Sequence, residues 1–248
     1  MIHSILMIGQ SNMAGRGKYD EVPLIKNDRI KMIRNGRWQP LFRPVNPDRA
    51  WAGASLAESF ADEYSKAHPD VEVGLIPCAD GGTGINMWSR GGVLFDHAVF
   101  MAKLAQRSSH IVAVIWHQGE ADCKDEKHPL YAERLSQFIT DFRRESGLSD
   151  VPFIMGELGY FLSRREDSGL RNYPYVNEAM RRVLPEHERI ALASAEGLES
   201  NIDNLHFRTE ALYEFGRRYY RAFAELETAV DTTAEKESVA EQSEMERL

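Results

Sequence analysis

The sequence predicts an α/β fold, a three-layer α/β/α sandwich around a mainly parallel five-stranded sheet. Three observations predict it. Short apolar or β-branched runs recur along the chain, and segments with apolar residues three and four positions apart lie between them. Strand and helix alternate throughout, the pattern of βαβ units. A length of 248 residues with 43% apolar content suits one large domain of ordinary globular composition.

The first strand is expected over 5–8, where Ile5-Leu6-Met7-Ile8 is apolar at every position. A helix over 55–67 follows, with Leu56, Phe60 and Tyr64 on one face. Strands over 71–77, 111–116, 151–157 and 189–194 then alternate with helices over 94–106, 131–144, 176–183 and 209–226. Segments 16–51 and 161–173 are expected as long loops, which in a compact domain usually serve function. The domain is expected to span 1–227. Residues 228–248 lack aromatics and alternate acid with small polar residues, the composition of a disordered or frayed helical tail.

The net charge of −8 is unevenly placed. Eight carboxylates against two bases fall in 224–248, a local −6, and leave −2 for residues 1–223. No long Lys/Arg cluster occurs, so nucleic acid is not an expected partner. Cys78 and Cys123 form no CxxC pair and read as reduced thiols. No run approaches the roughly 20 apolar residues of a membrane span, so no membrane partner is expected. The N-terminus lacks a basic leader and a small-residue cleavage site, which gives a cytoplasmic expectation.

Ligands of such sheets sit beyond the carboxyl ends of the strands. Polar clusters stand there: Gly9-Gln10-Ser11-Asn12 after the first strand, Asp80-Gly81-Gly82-Thr83-Gly84 after the second, and His117-Gln118-Gly119-Glu120-Ala121-Asp122 after the third. Asp203-Asn204-Leu205-His206 precedes the last helix. Ser11 reads either as a nucleophile on a tight turn or as a helix N-cap; the Gly-x-Ser-x-Gly elbow is absent. Asp203 and His206, three apart, read as a base with its orienting carboxylate or as a cap beside a half-buried histidine.

The glycines at 81–84 match no phosphate-binding pattern, but such a turn can offer a backbone N–H to an oxyanion. Gln118 can donate a side-chain NH₂ to the same atom or be a polar loop residue. His117, Glu120 and Asp122 do not have the spacing of a metal site, so neither metal nor cofactor is expected. Glu120 is assigned a supporting role, orienting Gln118 or lying as a second carboxylate near His206. Trp51, Trp88 and Trp116 line a carbohydrate site or fill the core. A nucleophile, a base and oxyanion donors at one end of one sheet favour acyl transfer.

The runs Met7-Ile8-Gly9-Gln10-Ser11-Asn12-Met13-Ala14-Gly15-Arg16-Gly17, Trp116-His117-Gln118-Gly119-Glu120 and Asp203-Asn204-Leu205-His206, with Gly74–Thr83 between them, resemble the SGNH hydrolases, specifically the family 6 carbohydrate esterase and sialate O-acetylesterase group. That resemblance implies a flavodoxin-like fold with Ser11 as nucleophile, His206 as base and Asp203 as its orienter. It implies an oxyanion hole of the Ser11 amide, the Gly82 amide (Gly81 if the turn registers differently) and the Gln118 side chain. In the wider SGNH group the third donor is usually Asn. Trp51-Ala52-Gly53-Ala54-Ser55 departs from the Gly-Pro-Glu that relatives often carry.

The implied activity is removal of O-acetyl groups from a carbohydrate, acetylxylan-esterase-like, through an acetyl-enzyme. The partner expected is a small-molecule or oligosaccharide acetyl ester; the oligomeric state is left open. The near-neutral domain fits an uncharged acetylated sugar, with Arg16 and Arg90 as candidate local cations. The alternatives are a non-catalytic carbohydrate-binding protein on this fold and an esterase for lipid or small-metabolite esters.

Overall fold

The computed structural model describes residues 1–166 and 168–245, with side-chain detail for 1–166 and 169–228. Its sheet has seven strands in the order β3-β2-β4-β1-β5-β6-β7. The five expected strands are present as β1 (Ile2–Gly9), β4 (Glu72–Pro77), β5 (His110–His117), β6 (Phe153–Gly156) and β7 (Ile190–Ala193). All of them pair in parallel. The order reverses between β4 and β5 on either side of β1, so the crevice of this topology opens where β1 and β5 end.

Two strands are additional. β2 (Ile30–Arg34) and β3 (Arg37–Pro40) form an antiparallel hairpin inside the segment expected as a loop over 16–51, and they make the sheet mixed. The two-residue turn is Asn35-Gly36, both at positive φ, the Asn-Gly pair that a type I′ hairpin favours. β2 extends the sheet in parallel beside β4.

The helices match the periodicity. A one-turn helix α1 (Ser11–Ala14) follows β1 directly. α2 (Leu56–Ala67) and α6 (Thr209–Met245) pack together on one face of the sheet, and α3 (Val93–Ala105), α4 (Tyr131–Ser146) and α5 (Tyr173–Val183) cover the other. Ser55 starts α2 in a capping box with Glu58, and its Oγ also donates to the Met13 carbonyl at 2.7 Å, tying α2 to the end of α1. Of the expected tail over 228–248, the side chains from 229 onward lie outside the described residues. Among the described residues no helix is long and apolar enough to cross a membrane.

Trp88 and Trp116 are fully buried and meet edge-on at 5.4 Å, in a cluster with Phe138 between the sheet and α4. They fill the core and line no sugar site. Trp51, by contrast, is 71% exposed.

Candidate active site

The site begins where β1 ends against β5. Gly9 has φ +127°, and a Cβ there would sit 2.1 Å from the His117 carbonyl oxygen, so only glycine lets the two strand ends approach this closely. The Gln10 N–H donates to that carbonyl at 2.8 Å, and the Gln10 carbonyl accepts from the amides of Met13 and Ala14. The chain therefore turns at once into α1 with Ser11 as its first residue. The first amides of a helix have no intrahelical acceptor, so the Ser11 N–H is free to bind an incoming oxygen.

The loop before α6 brings the base. His206 Nε2 lies 3.0 Å from Ser11 Oγ, and Nδ1 lies 2.6 Å from Asp203 Oδ2. With Nδ1–H donating to the carboxylate, Nε2 is left as an acceptor for the serine hydroxyl. Asp203 Oδ1 accepts from the backbone amides of Leu205 at 2.9 Å and His206 at 3.0 Å. Partial burial works against the Asp203 charge, but the hydrogen bonds from the His206 side chain and these amides outweigh it and pull the carboxyl down to about 2. The three expected residues are thus brought together in one contiguous relay.

Two residues without an assigned role in the sequence hold this arrangement. Asn12 Nδ2 donates to Glu120 Oε1 at 2.5 Å and to the Leu205 carbonyl at 3.2 Å, while its Oδ1 accepts from the Phe207 amide at 3.1 Å. It bonds backbone on both sides of His206. Asp48 forms a buried two-point ion pair with Arg16 (3.0 and 2.7 Å) and accepts the Gly81 N–H at 2.8 Å. The signal for Asn12 was its place beside Ser11; Asp48 had none, since 33 residues separate it from the glycines it holds.

The Asp48 bond uses up the Gly81 amide. Gly82, at φ +79°, keeps an N–H with no acceptor among the described residues, so of the two glycines it is Gly82 that can face an oxyanion. Gln118 is fully buried at the end of β5. Its NH₂ lies 2.6 Å from Asp122 Oδ2, 2.9 Å from the Thr83 carbonyl and 3.2 Å from Gln10 Oε1, three acceptors for two hydrogens. The expected third donor is therefore turned away from Ser11.

Glu120, expected to orient Gln118 or to lie near His206, makes no hydrogen bond to either among the described residues, and it is Asp122 that holds the Gln118 amide. Glu120 takes Asn12, and its Oε1 is 3.3 Å from His117 Nε2. Burial opposes its charge, but His117 and the Asn12 donor more than compensate and hold its carboxyl below the usual range. Asp122 is the residue that orients Gln118; burial pushes its carboxyl up. Among the described residues no group of three or more His, Cys, Asp or Glu could hold a metal ion.

These groups open into a pocket of about 420 Å³, within the range of small-ligand sites, lined by Ser11, His206, Gly82 and Gln10 with Trp51 and Leu170 at its mouth. Arg16 reaches the pocket while paired to Asp48. Arg90 pairs with Glu145 and is no part of it.

A family model described as carbohydrate esterase, sialic acid-specific acetylesterase matches residues 2–225. The chain belongs to that family. This family member is similar to a probable carbohydrate esterase of Arabidopsis thaliana, 27% identical over 240 residues and 88% of each chain. A solved Arabidopsis thaliana structure aligns on it with TM-score 0.81 and 26% identity, over 90% of this chain and 98% of that one. NanS shares the fold at TM-score 0.75 and 15% identity, covering 92% and 98% of the two chains. A carbohydrate acetylesterase of Xanthomonas citri shares it at TM-score 0.68 and 20% identity, covering 89% and 55%. This family member thus has the α/β fold expected from its sequence, shared with the solved structures above.

Proposed function

We propose that the chain is a serine esterase that removes O-acetyl groups from carbohydrates through an acetyl-enzyme on Ser11. The observation that carries this reading is the unbroken relay from Ser11 Oγ through His206 to Asp203, 3.0 and 2.6 Å, opening into a pocket. A binding protein has no need of a hydroxyl aligned on an oriented imidazole.

Ser11 Oγ attacks the acetyl carbonyl as His206 Nε2 takes its proton, and the carbonyl π electrons move onto the oxygen. The amides of Ser11 and Gly82 stabilise that oxyanion, each by about 3 kcal/mol in the transition state. Collapse breaks the ester bond, His206 returns the proton to the sugar oxygen, and acetyl-Ser11 remains. Water activated by His206 repeats the sequence and releases acetate. Asp203 keeps the imidazole in the right tautomer and stabilises its protonated form.

The exposed Trp51 indole at the pocket mouth supports a sugar leaving group, because pyranose faces stack on aromatic rings. An acidic sugar is the second reading. Lys124 and Arg165 line the pocket, and neither has a carboxylate partner among the described residues. Release of acetate from acetylated xylo-oligosaccharides, acetylated sialic acid and a short aryl acetate, measured beside Ser11→Ala, tests the proposal. Ser11-dependent release is expected, faster from a sugar than from the aryl ester; acetate release unchanged in Ser11→Ala would overturn it.

A further inference from the structure

We infer that Arg49 is a positioning residue for the Gly82 amide: its guanidinium holds the carbonyl of the Gly81-Gly82 peptide and thereby aims the N–H of that same peptide at the reacting carbonyl. This rests on the reading of Ser11 as an acyl-transfer nucleophile.

The peptide that carries the Gly82 N–H is weakly restrained by its own residues. It lies between two glycines, and a Cβ on Gly82 would meet nothing within 4 Å, so no packing fixes its plane there. Gly82 stands at φ +79°, a conformation that glycine enters and leaves without steric cost. Asp48 holds the Gly81 N–H at 2.8 Å, but that N–H belongs to the preceding peptide and does not stop the next one from turning over. A turned peptide would present its carbonyl oxygen where the oxyanion forms, and the site would repel the charge it has to stabilise.

Arg49 opposes that turn. Its Nη2 donates to the Gly81 carbonyl at 2.9 Å, while Nη1 donates to Asp80 Oδ1 at 2.6 Å and to the Asp48 carbonyl at 2.7 Å. The Gly81 carbonyl accepts no other hydrogen bond among the described residues. The Gly81-Gly82 peptide is trans, so its C=O and N–H point to opposite sides. Fixing the oxygen on the guanidinium therefore fixes the hydrogen on the far side, and reversal would set an N–H against guanidinium donors. A charged donor on the carbonyl also polarises the peptide and strengthens the bond that its N–H makes. The Arg49 side chain is 38% exposed, and an ion pair as open as that with Asp80 adds little to stability. What the guanidinium does add is order, because one planar group ties the loop before α2 to the turn that carries Gly82, at the wall of the pocket that both line.

The test compares the full chain with Arg49→Ala and Arg49→Lys, using a neutral aryl acetate for turnover and an alkyl boronic acid as a mimic of the tetrahedral intermediate. Losing an oxyanion donor outright costs about 10²–10³-fold; here the donor remains and loses its aim, so Arg49→Ala is expected to lose about 10–10²-fold in kcat with KM within a few-fold. Boronate affinity should fall in parallel with kcat/KM, and the unfolding midpoint should stay near that of wild type. Arg49→Lys keeps the charge without the planar fork and should fall between Arg49→Ala and wild type. Turnover of Arg49→Ala within about threefold of wild type overturns the Arg49 assignment alone. A rise in KM without loss of kcat, which marks a substrate contact, overturns it too, as does a loss of kcat that boronate affinity does not follow. A wild-type chain with no Ser11-dependent turnover overturns the esterase reading and this inference together.

Discussion

Asn12 Nδ2 and Glu120 Oε1 lie 2.5 Å apart, joining the helix that carries Ser11 to the loop after β5. Because the same Asn12 side chain also bonds the Leu205 carbonyl and the Phe207 amide, the depth at which His206 sits over Ser11 is set from the serine side. Replacing Asn12 by Ala removes three hydrogen bonds and leaves Glu120 buried with one donor fewer. Displacements near 1 Å at a catalytic base cost about 10²-fold, so kcat should fall by roughly 10–10² with KM little changed. Steady-state kinetics of Asn12→Ala on an aryl acetate measure this; a kcat equal to wild type would show that His206 is placed without Asn12.

Trp51 should matter for sugars and not for small esters. Its indole is 71% exposed at the pocket mouth, beyond the reacting atoms, so Trp51→Ala should raise KM for an acetylated oligosaccharide by about 5–10-fold, the loss of one ring contact worth about 1 kcal/mol. Hydrolysis of an aryl acetate should be unaffected. Equal effects on both substrates would place Trp51 in the structure of the loop rather than in substrate contact.

Asp203 gives a pH dependence whose sign follows from its depressed pKa of about 2 against an ordinary value of 3.8. A group held lower in the folded state stabilises fully above its ordinary pKa and loses that contribution as pH falls through the folded value. Stability from this carboxylate should therefore be intact above about pH 4 and fade between about pH 4 and 2. Asp203→Asn should flatten the acid-unfolding curve in that window and, by disturbing the His206 tautomer, lower kcat by about 10⁴ at neutral pH. Acid titration by circular dichroism with parallel kinetics reads both effects.

The parallel core of the fold was legible because each central strand is a continuous apolar run and each helix keeps its period; β1 and α2 need little more than their own residues. The hairpin was readable only in the Asn35-Gly36 pair, since its flanking strands are short and carry Lys31 and Arg34 on β2 and Arg37 on the edge strand β3. Ser11, Asp203 and His206 could be picked out because polar residues at strand ends and before α6 have no packing reason to be there. What stayed hidden depends on tertiary approach. Asp48 reaches Gly81 across the crevice, Asp122 claims the Gln118 amide, and the burial of Trp88 and Trp116 follows from the layer that α4 makes over the sheet.

Covalent labelling tests most directly whether Ser11 is an activated nucleophile. Folded wild-type chain is treated with a serine-directed aryl phosphonate, and the modified peptide is mapped by mass spectrometry beside Ser11→Ala and His206→Ala. Stoichiometric label on Ser11, abolished in Ser11→Ala and slowed by orders of magnitude in His206→Ala, is the predicted result. Folded protein that takes no label, or takes it at a residue other than Ser11, would contradict the account.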